Sequence, residues 1–262
     1  MKVCLVSRYF DLRSGGLGRF SMEMYQGLQK RGFEIMPVST NWAGSTGYFI
    51  YTAVEMPFRI PRGYDVYHAL SPFEAIYVPK ERGIVTFHDL IPWLHLDKVQ
   101  VGFTRGGLRA AQQVIRKHYF RIASQIAVRC SVIACDSRQT KEELIKYLGV
   151  NESKVKVIRL GIDRELDTKP KGDNMFRIGT LSYLEPRKRI DLLIRGFLEA
   201  NVDGELLIGG TGVDYARLRT LAKDDKRIKF LGFVPDERLT DFHNSLDLFI
   251  FPTKVEGYGL PI

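Results

Sequence analysis

Cysteine is scarce in this chain of 262 residues: there are three, Cys4, Cys130 and Cys135. They are odd in number, sit among apolar neighbours and include no CxxC pair. That excludes a disulfide framework and a cysteine-based zinc site, and leaves reduced core thiols. Long apolar runs are missing as well. No stretch approaches the roughly 20 residues needed to span a bilayer. The apolar run in MKVCLVSRYF is too short, and too soon charged, for a signal peptide. Integral-membrane and secreted readings drop out, and the expected location is cytoplasmic. The five histidines are scattered; His88 and His95 flank an apolar segment, but no third ligand accompanies them, so no metal residues are assigned. D-x-D triplets, a P-loop and a G-x-S-x-G elbow are all absent, which argues against a local chelating carboxylate pair, an NTPase and a serine hydrolase of that type.

Hydrophobic residues make up 45% of the chain and charged residues 26%, enough apolar material for a sizeable core. The net charge of +9 is unevenly placed. Met1 to Phe176 carries 26 basic and 17 acidic residues, whereas Arg177 to Ile262 carries 13 of each. A basic front part implies an anionic partner: nucleic acid, an anionic membrane surface or a phosphorylated substrate.

Strand patterns at Val3–Val6, Phe33–Val38, Tyr64–Ala69, Gly83–Phe87, Ser131–Cys135 and Val155–Arg159 alternate with helical stretches at Arg19–Arg31, Arg105–Val128 and Thr140–Leu148. Gly32 and Gly149 read as helix stops, and Asp136 or Ser137 as an N-cap. The polar, turn-rich GIDRELDTKPKGDN follows. Alternation then restarts, with strands expected at Phe176–Leu181, Glu205–Ile208, Ile228–Phe230 and Leu248–Phe251, and helices at Ile190–Glu199, Tyr215–Lys223 and Asp236–Asn244. This order predicts an α/β chain with two doubly wound parallel sheets: a first domain over 1–164, a linker over 165–175 and a second domain over 176–262. A cleft is expected between them, faced by the C-terminal strand ends where such sheets bind ligands.

The residues that can carry chemistry sit at expected strand ends. Gly15-Gly16-Leu17-Gly18 falls between the first strand and the first helix. Its frame GLGRFS lacks the third glycine of G-x-G-x-x-G, so it fits a backbone approach to phosphate at a helix N-terminus, or a tight turn, better than a dinucleotide site. His88-Asp89 closes TFHD, where a histidine either donates to a sugar hydroxyl or serves structure. Glu185-Pro186-Arg187-Lys188-Arg189 follows the strand at 176–181; cations there suit a diphosphate, with arginine as a fork and lysine as a point charge. Gly209-Gly210-Thr211-Gly212 forms another glycine-rich turn, and FPTKVEGYGLPI places Glu256 before two glycines.

Taken in order, GGLGRF, TFHD, VIRLGID, GTLSYLEPRKRIDLLIRGF and FPTKVEGYGLP resemble the family 4 glycosyltransferases of GT-B architecture across essentially the whole chain. The resemblance implies two Rossmann-like domains, the first holding the acceptor and the second a nucleotide-diphosphate sugar. It implies a retaining hexosyl transfer, mannose preferred, to a glycan or lipid-linked acceptor, with no cofactor and no metal. Carried over by position, Gly15, Gly16 and Gly18 approach the donor phosphates, and His88 lies near the transferred sugar. Arg187 and Lys188 neutralise the leaving diphosphate, and Glu256 holds sugar hydroxyls. The backbone of Gly257, Tyr258, Gly259 and Leu260 lines the phosphates, with Gly210 also on the donor, and Phe233 and Val234 meet the base. Three departures stand out. Thr180 occupies a position often held by arginine, Arg159-Leu160 replaces the commoner Pro-Asn, and the chain stops before the second glutamate of the family's paired-glutamate motif. The second domain is therefore expected to be incomplete, and the alternative is a catalytically incomplete GT-B remnant acting as a binding or regulatory protein.

From Lys98 to Cys135 there is no carboxylate. Arg105, Arg109, Arg116 and Lys117 recur there among apolar residues, as in a basic amphipathic helix on an anionic membrane or a helix with one solvated basic face. A nucleic-acid partner would need a recognition module, and none is present. The expected place of work is the inner face of the membrane.

Overall fold

The computed structural model describes residues 1–11, 15–40, 51–94, 107–161 and 171–259, with the side chains of 53, 107–114, 116 and 117 outside the description. The chain divides into two compact units. Met1–Trp93 and Ala110–Arg159 build the first, and Leu94–Arg109 with Leu160–Ile262 the second.

The first unit is a parallel sheet of six strands: β1 (Lys2–Val6), β2 (Glu34–Val38), β3 (Val66–Ala69), β4 (Gly83–Phe87), β5 (Val132–Cys135) and β6 (Val155–Val157), in the order β2-β1-β3-β4-β5-β6. Its long helices are α1 (Gly15–Lys30), α2 (Gly107–Ala127) and α3 (Arg138–Leu148). Buried on both faces, the central strands are short apolar runs: Val3 to Val6, Val85, Phe87, Ile133 and Cys135 are all core. The three cysteines are free and buried, and burial alone pushes the Cys4 thiol up to about 12, which suits an inert packing role. Ser137, not Asp136, caps α3 by accepting from the Thr140 amide, and Gly149 closes it at φ 64°. On β2, the Glu34 amide donates to Met1 O and Val38 O accepts from the Ser7 amide. Even-numbered residues therefore face β1, and Pro37 falls on the outer edge.

One correction concerns the glycine stretch. Helix α1 begins at Gly15, so Gly15, Gly16 and Gly18 form its first turn rather than a loop ahead of it. Gly15 enters through the left-handed region at φ 70°, and its low helix propensity is offset by contacts one turn on. The Ser21 hydroxyl donates back to Leu17 O and shares a bond with Ser7 Oγ on the adjoining strand end. Tyr51–Arg59, a π turn running into one α turn, and Ile91–Leu94 are short helices the sequence pattern did not announce.

The second unit carries β7 (Arg177–Leu181), β8 (Glu205–Gly209), β9 (Ile228–Gly232) and β10 (Leu248–Phe249), parallel and ordered β10-β7-β8-β9. Helices α4 (Ile190–Ala200), α5 (Tyr215–Leu221) and α6 (Leu239–Asn244) connect them. Ile190, Leu193, Ile194 and Phe197 recur at i, i+3, i+4 and i+7, forming the apolar stripe of α4 that packs with Ile178, Leu206 and Ile208 of the sheet. The helix expected over Asp236–Asn244 opens as a 3-10 turn, Asp236–Arg238, before α6. Strand β10 is two residues long, although the Ile250 amide still donates to Gly179 O. Most of the expected linker lies outside the described residues. Among those described, no helix is long and apolar enough to cross a membrane.

Candidate active site

In a parallel sheet, every strand ends on the same edge, and ligands settle where neighbouring strands lead off in opposite directions. In the second unit that switch point lies between β7, followed by β8 on one side, and β10 on its other side. Arg187 and Lys188 follow β7; Glu256 follows β10. The fold places them together.

Three donors converge on one carboxylate oxygen. Glu256 Oε1 accepts from Lys188 Nζ at 2.6 Å, Arg187 Nη1 at 3.0 Å and Thr253 Oγ1 at 2.5 Å. Its other oxygen, Oε2, has no partner among the described residues. Arg187 also donates through Nε and Nη2 to Glu185 Oε1, at 3.1 and 2.6 Å, and through Nη1 to Val255 O at 2.6 Å. The Lys188 ammonium lies 5.0 Å from the centre of the Phe251 ring, a cation–π contact. Lys188 is buried, which is rare for a lysine and tolerable only because it is paired.

Electrostatics follow from that burial. Desolvation draws the Lys188 ammonium below its ordinary pKa; Glu256 opposes this and Arg187 adds to it. Burial pushes the Glu256 carboxyl up, but donation from Lys188 and Thr253 and the charges of Lys188 and Arg187 outweigh it and hold it low. For Arg187, burial is overcome by Glu185 and Glu256, which raise it. The cluster is thus a quartet of two basic and two acidic side chains joined by hydrogen bonds.

Around it the neighbouring loops are drawn tight. The Gly210 amide donates to Gly232 O at 2.7 Å, joining the ends of β8 and β9, and Phe233 and Val234 follow directly. Gly210 sits at φ 116°, and a Cβ there would lie 1.8 Å from Ser182 O, so only glycine fits. Phe233 is largely exposed. Gly257, Tyr258 and Gly259 continue from Glu256, and the Tyr258 hydroxyl donates to Leu160 O at 3.0 Å. Leu260 lies outside the described residues. Thr180 is fully buried in β7 with its hydroxyl unpartnered.

His88 belongs to the first unit. Its Nδ1 meets Asp136 Oδ2 at 2.7 Å and its Nε2 meets Leu70 O at 3.1 Å, while Phe20 packs edge-on at 4.7 Å. Burial disfavours the imidazolium, but Asp136, Asp89 and the Leu70 carbonyl outweigh it and raise the His88 pKa. Both nitrogens face acceptors, an arrangement that favours the doubly protonated ring. The ring's polar atoms are engaged within the unit, tying together the ends of β3, β4 and β5. No group of three or more His, Cys, Asp or Glu side chains suited to a metal occurs among the described residues.

Glu185, Phe251, Thr253 and Asp136 complete these clusters; the sequence names Glu185 only within its basic turn and Asp136 only as an alternative N-cap, and assigns none of the four to a site. For Asp136 the missing signal is register: Phe87 pairs with Cys135, which sets His88 opposite Asp136 one residue further on. Arg105 lies outside the described residues. Arg109, Arg116 and Lys117 fall on α2, with their side chains outside the description.

Two parallel-sheet units, the second with Arg187, Lys188 and Glu256 gathered at its switch point, define an α/β protein. Comparison with known proteins names the class. Residues 55–166 match the family described as Glycosyltransferase Family 4, and residues 174–262 match Glycosyl transferases group 1. The chain belongs to these glycosyltransferases. It is 24% identical over 230 residues to the serotype-specific mannosyltransferase WbdA of Escherichia coli, an alignment covering 75% of this chain and 27% of that protein. O-antigen chain mannosyltransferase B of Escherichia coli is 34% identical over 93 residues, 32% of this chain and 24% of that protein. The chain therefore spans about a quarter of the length of these relatives. Among solved structures, sucrose-phosphate synthase from Thermosynechococcus elongatus superposes with a TM-score of 0.74 at 14% identity, covering 99% of this chain and 77% of that one. Anabaena Alr3699/HepE, solved in complex with UDP and glucose, gives 0.66 at 16% identity, covering 99% and 76%. The fold is that of the GT-B glycosyltransferases.

Proposed function

We propose that this chain is the catalytic part of a retaining glycosyltransferase that moves a hexose, mannose by preference, from a nucleoside-diphosphate sugar to a glycan or lipid-linked acceptor. The observation that carries this reading is the meeting of Lys188, Arg187 and Glu256 at the switch point of the second sheet. A departing diphosphate gains negative charge in the transition state, so a cation already fixed there lowers the barrier instead of only binding substrate. Glu256 keeps Oε2 open toward sugar hydroxyls while Oε1 anchors it. Gly210, Phe233 and Val234 are assigned to the nucleotide, and Gly257 to Leu260 to its phosphates. Gly15, Gly16, Gly18 and His88 stay in this proposal as donor residues. The mannosyltransferase names of the Escherichia coli relatives support mannose, and the UDP and glucose bound by HepE support the donor class. The proposed mechanism uses no metal, and the proposed place of work is the inner face of the membrane.

A thermal-shift screen of GDP, UDP and ADP tests this reading, because a ligand that binds the folded state raises the melting temperature. One of them is expected to raise it at millimolar concentration, and Lys188→Ala to abolish the rise. Transfer from the matching nucleotide sugar is expected to survive a metal chelator. A flat screen overturns the reading.

A further inference from the structure

We infer that Arg187 is a positioning residue, a strut that fixes the Thr253–Glu256 segment, and that Lys188 alone presents its charge to the diphosphate. The inference rests on the reading above and divides the labour within that site.

The argument starts from counting donors. A guanidinium has five N–H groups in a rigid fork; an ammonium has three. Arg187 commits Nε and one hydrogen of Nη2 to Glu185 Oε1, and both hydrogens of Nη1 to Val255 O and Glu256 Oε1. Four of its five donors are engaged, and they span two segments far apart in sequence. Its main chain acts likewise: the Lys254 amide donates to Arg187 O at 3.1 Å. Backbone and side chain of one residue therefore bind the 3-10 turn Pro186–Lys188 to the stretch that carries Glu256. The Lys188 ammonium makes a single hydrogen bond among the described residues, to Glu256 Oε1, and rests against Phe251. Two of its three N–H groups remain for a ligand.

Charge separates them in the same way. Arg187 lies against two carboxylates, Glu185 at 2.6 Å and Glu256 at 3.0 Å. A phosphate approaching Arg187 must displace Glu185, a group of its own sign. A phosphate approaching Lys188 meets a cation balanced by Glu256 alone among its ion pairs.

The test compares a nucleoside diphosphate with its monophosphate (GDP and GMP, UDP and UMP) on the full chain, and adds amide hydrogen exchange of the ligand-free protein. Lys188→Ala is expected to cut the preference for diphosphate over monophosphate by about 10- to 100-fold, the loss of one charged hydrogen bond. Arg187→Ala is expected to weaken both ligands by a common factor, leaving the preference intact, and to speed exchange of the Lys254 amide. Glu185→Gln, which keeps the side-chain shape and serves if Arg187→Ala fails to fold, is expected to act in the same direction. An Arg187→Ala variant that loses the preference as Lys188→Ala does overturns the inference. So does a Glu185→Gln variant that binds diphosphate more tightly, or an unchanged Lys254 exchange rate. Wild-type protein that binds none of the four nucleotides overturns the reading of the site instead, and the exchange comparison still decides whether Arg187 is a strut.

Discussion

His68 on β3 and His88 just past the end of β4 are shifted in opposite directions. Burial, followed by the charge of His88, pushes His68 down to about 4, leaving a neutral ring whose Nε2 bonds Thr86 Oγ1. His88 is the reverse case, held above its ordinary 6.5 by its acceptors. The stability His88 contributes is full below pH 6.5 and is lost as pH rises through its raised value. For His68 the unfolded chain binds a proton that the folded chain refuses, so stability falls as pH drops from 6.5 toward about 4. Melting curves across pH are expected to show His88→Gln losing the alkaline fall that wild type has, and His68→Gln losing part of the acid one. His88→Ala is expected to cost about 3 kcal/mol, because it strands the buried Asp136 carboxylate. A His88→Ala variant as stable as wild type by urea denaturation would contradict the clamp.

At the level of elements, the alternation of strands and helices was legible because the central strands of both sheets are largely buried. Those strands read as short apolar runs such as GIVTF or ELLIG, whichever unit they belong to. The ends of elements were less legible. GGLG reads as a loop because glycine disfavours helix, whereas the Ser21 contacts to Leu17 and Ser7 help hold that turn in α1. The expected strand Leu248–Phe251 stops early as a ladder, and Phe251 is instead the ring beneath Lys188. Within the candidate site, Arg187, Lys188 and Glu256 were found by motif. Glu185 and Thr253 were not: each bonds a near neighbour in sequence, Arg187 and Glu256, but what they support is the contact between Arg187 and Glu256, which lie 69 positions apart and which spacing does not encode. Gly210 is where an element end can be tested. Gly210→Ala sets a methyl group into Ser182 O at a left-handed φ, and is expected to cost roughly 2–4 kcal/mol in denaturant unfolding. A loss under 1 kcal/mol, which is about the Gly-to-Ala effect at an unstrained site, would mean the two loops can part.

On the scale of the whole molecule, charge is segregated by sequence: the excess of +9 lies before Arg177. If that excess serves an anionic membrane, binding to vesicles should rise with the fraction of anionic lipid and fall as salt is added. Equal binding to neutral vesicles would remove the electrostatic account. Ile115 and Ile122, seven apart and both exposed on α2, supply apolar contact on the same helix as the basic residues.

Pro37 bears on how copies of this protein treat one another. A sheet ends in a strand whose outward amides invite another strand, and chains that meet edge to edge begin to aggregate. On β2 the outward positions are Ile35 and Pro37, and a proline has no amide hydrogen to offer. Among the described residues nothing pairs with the outer side of β2, and that margin of the six-stranded sheet keeps one donor where it could have had two, so crowded molecules have less to join there.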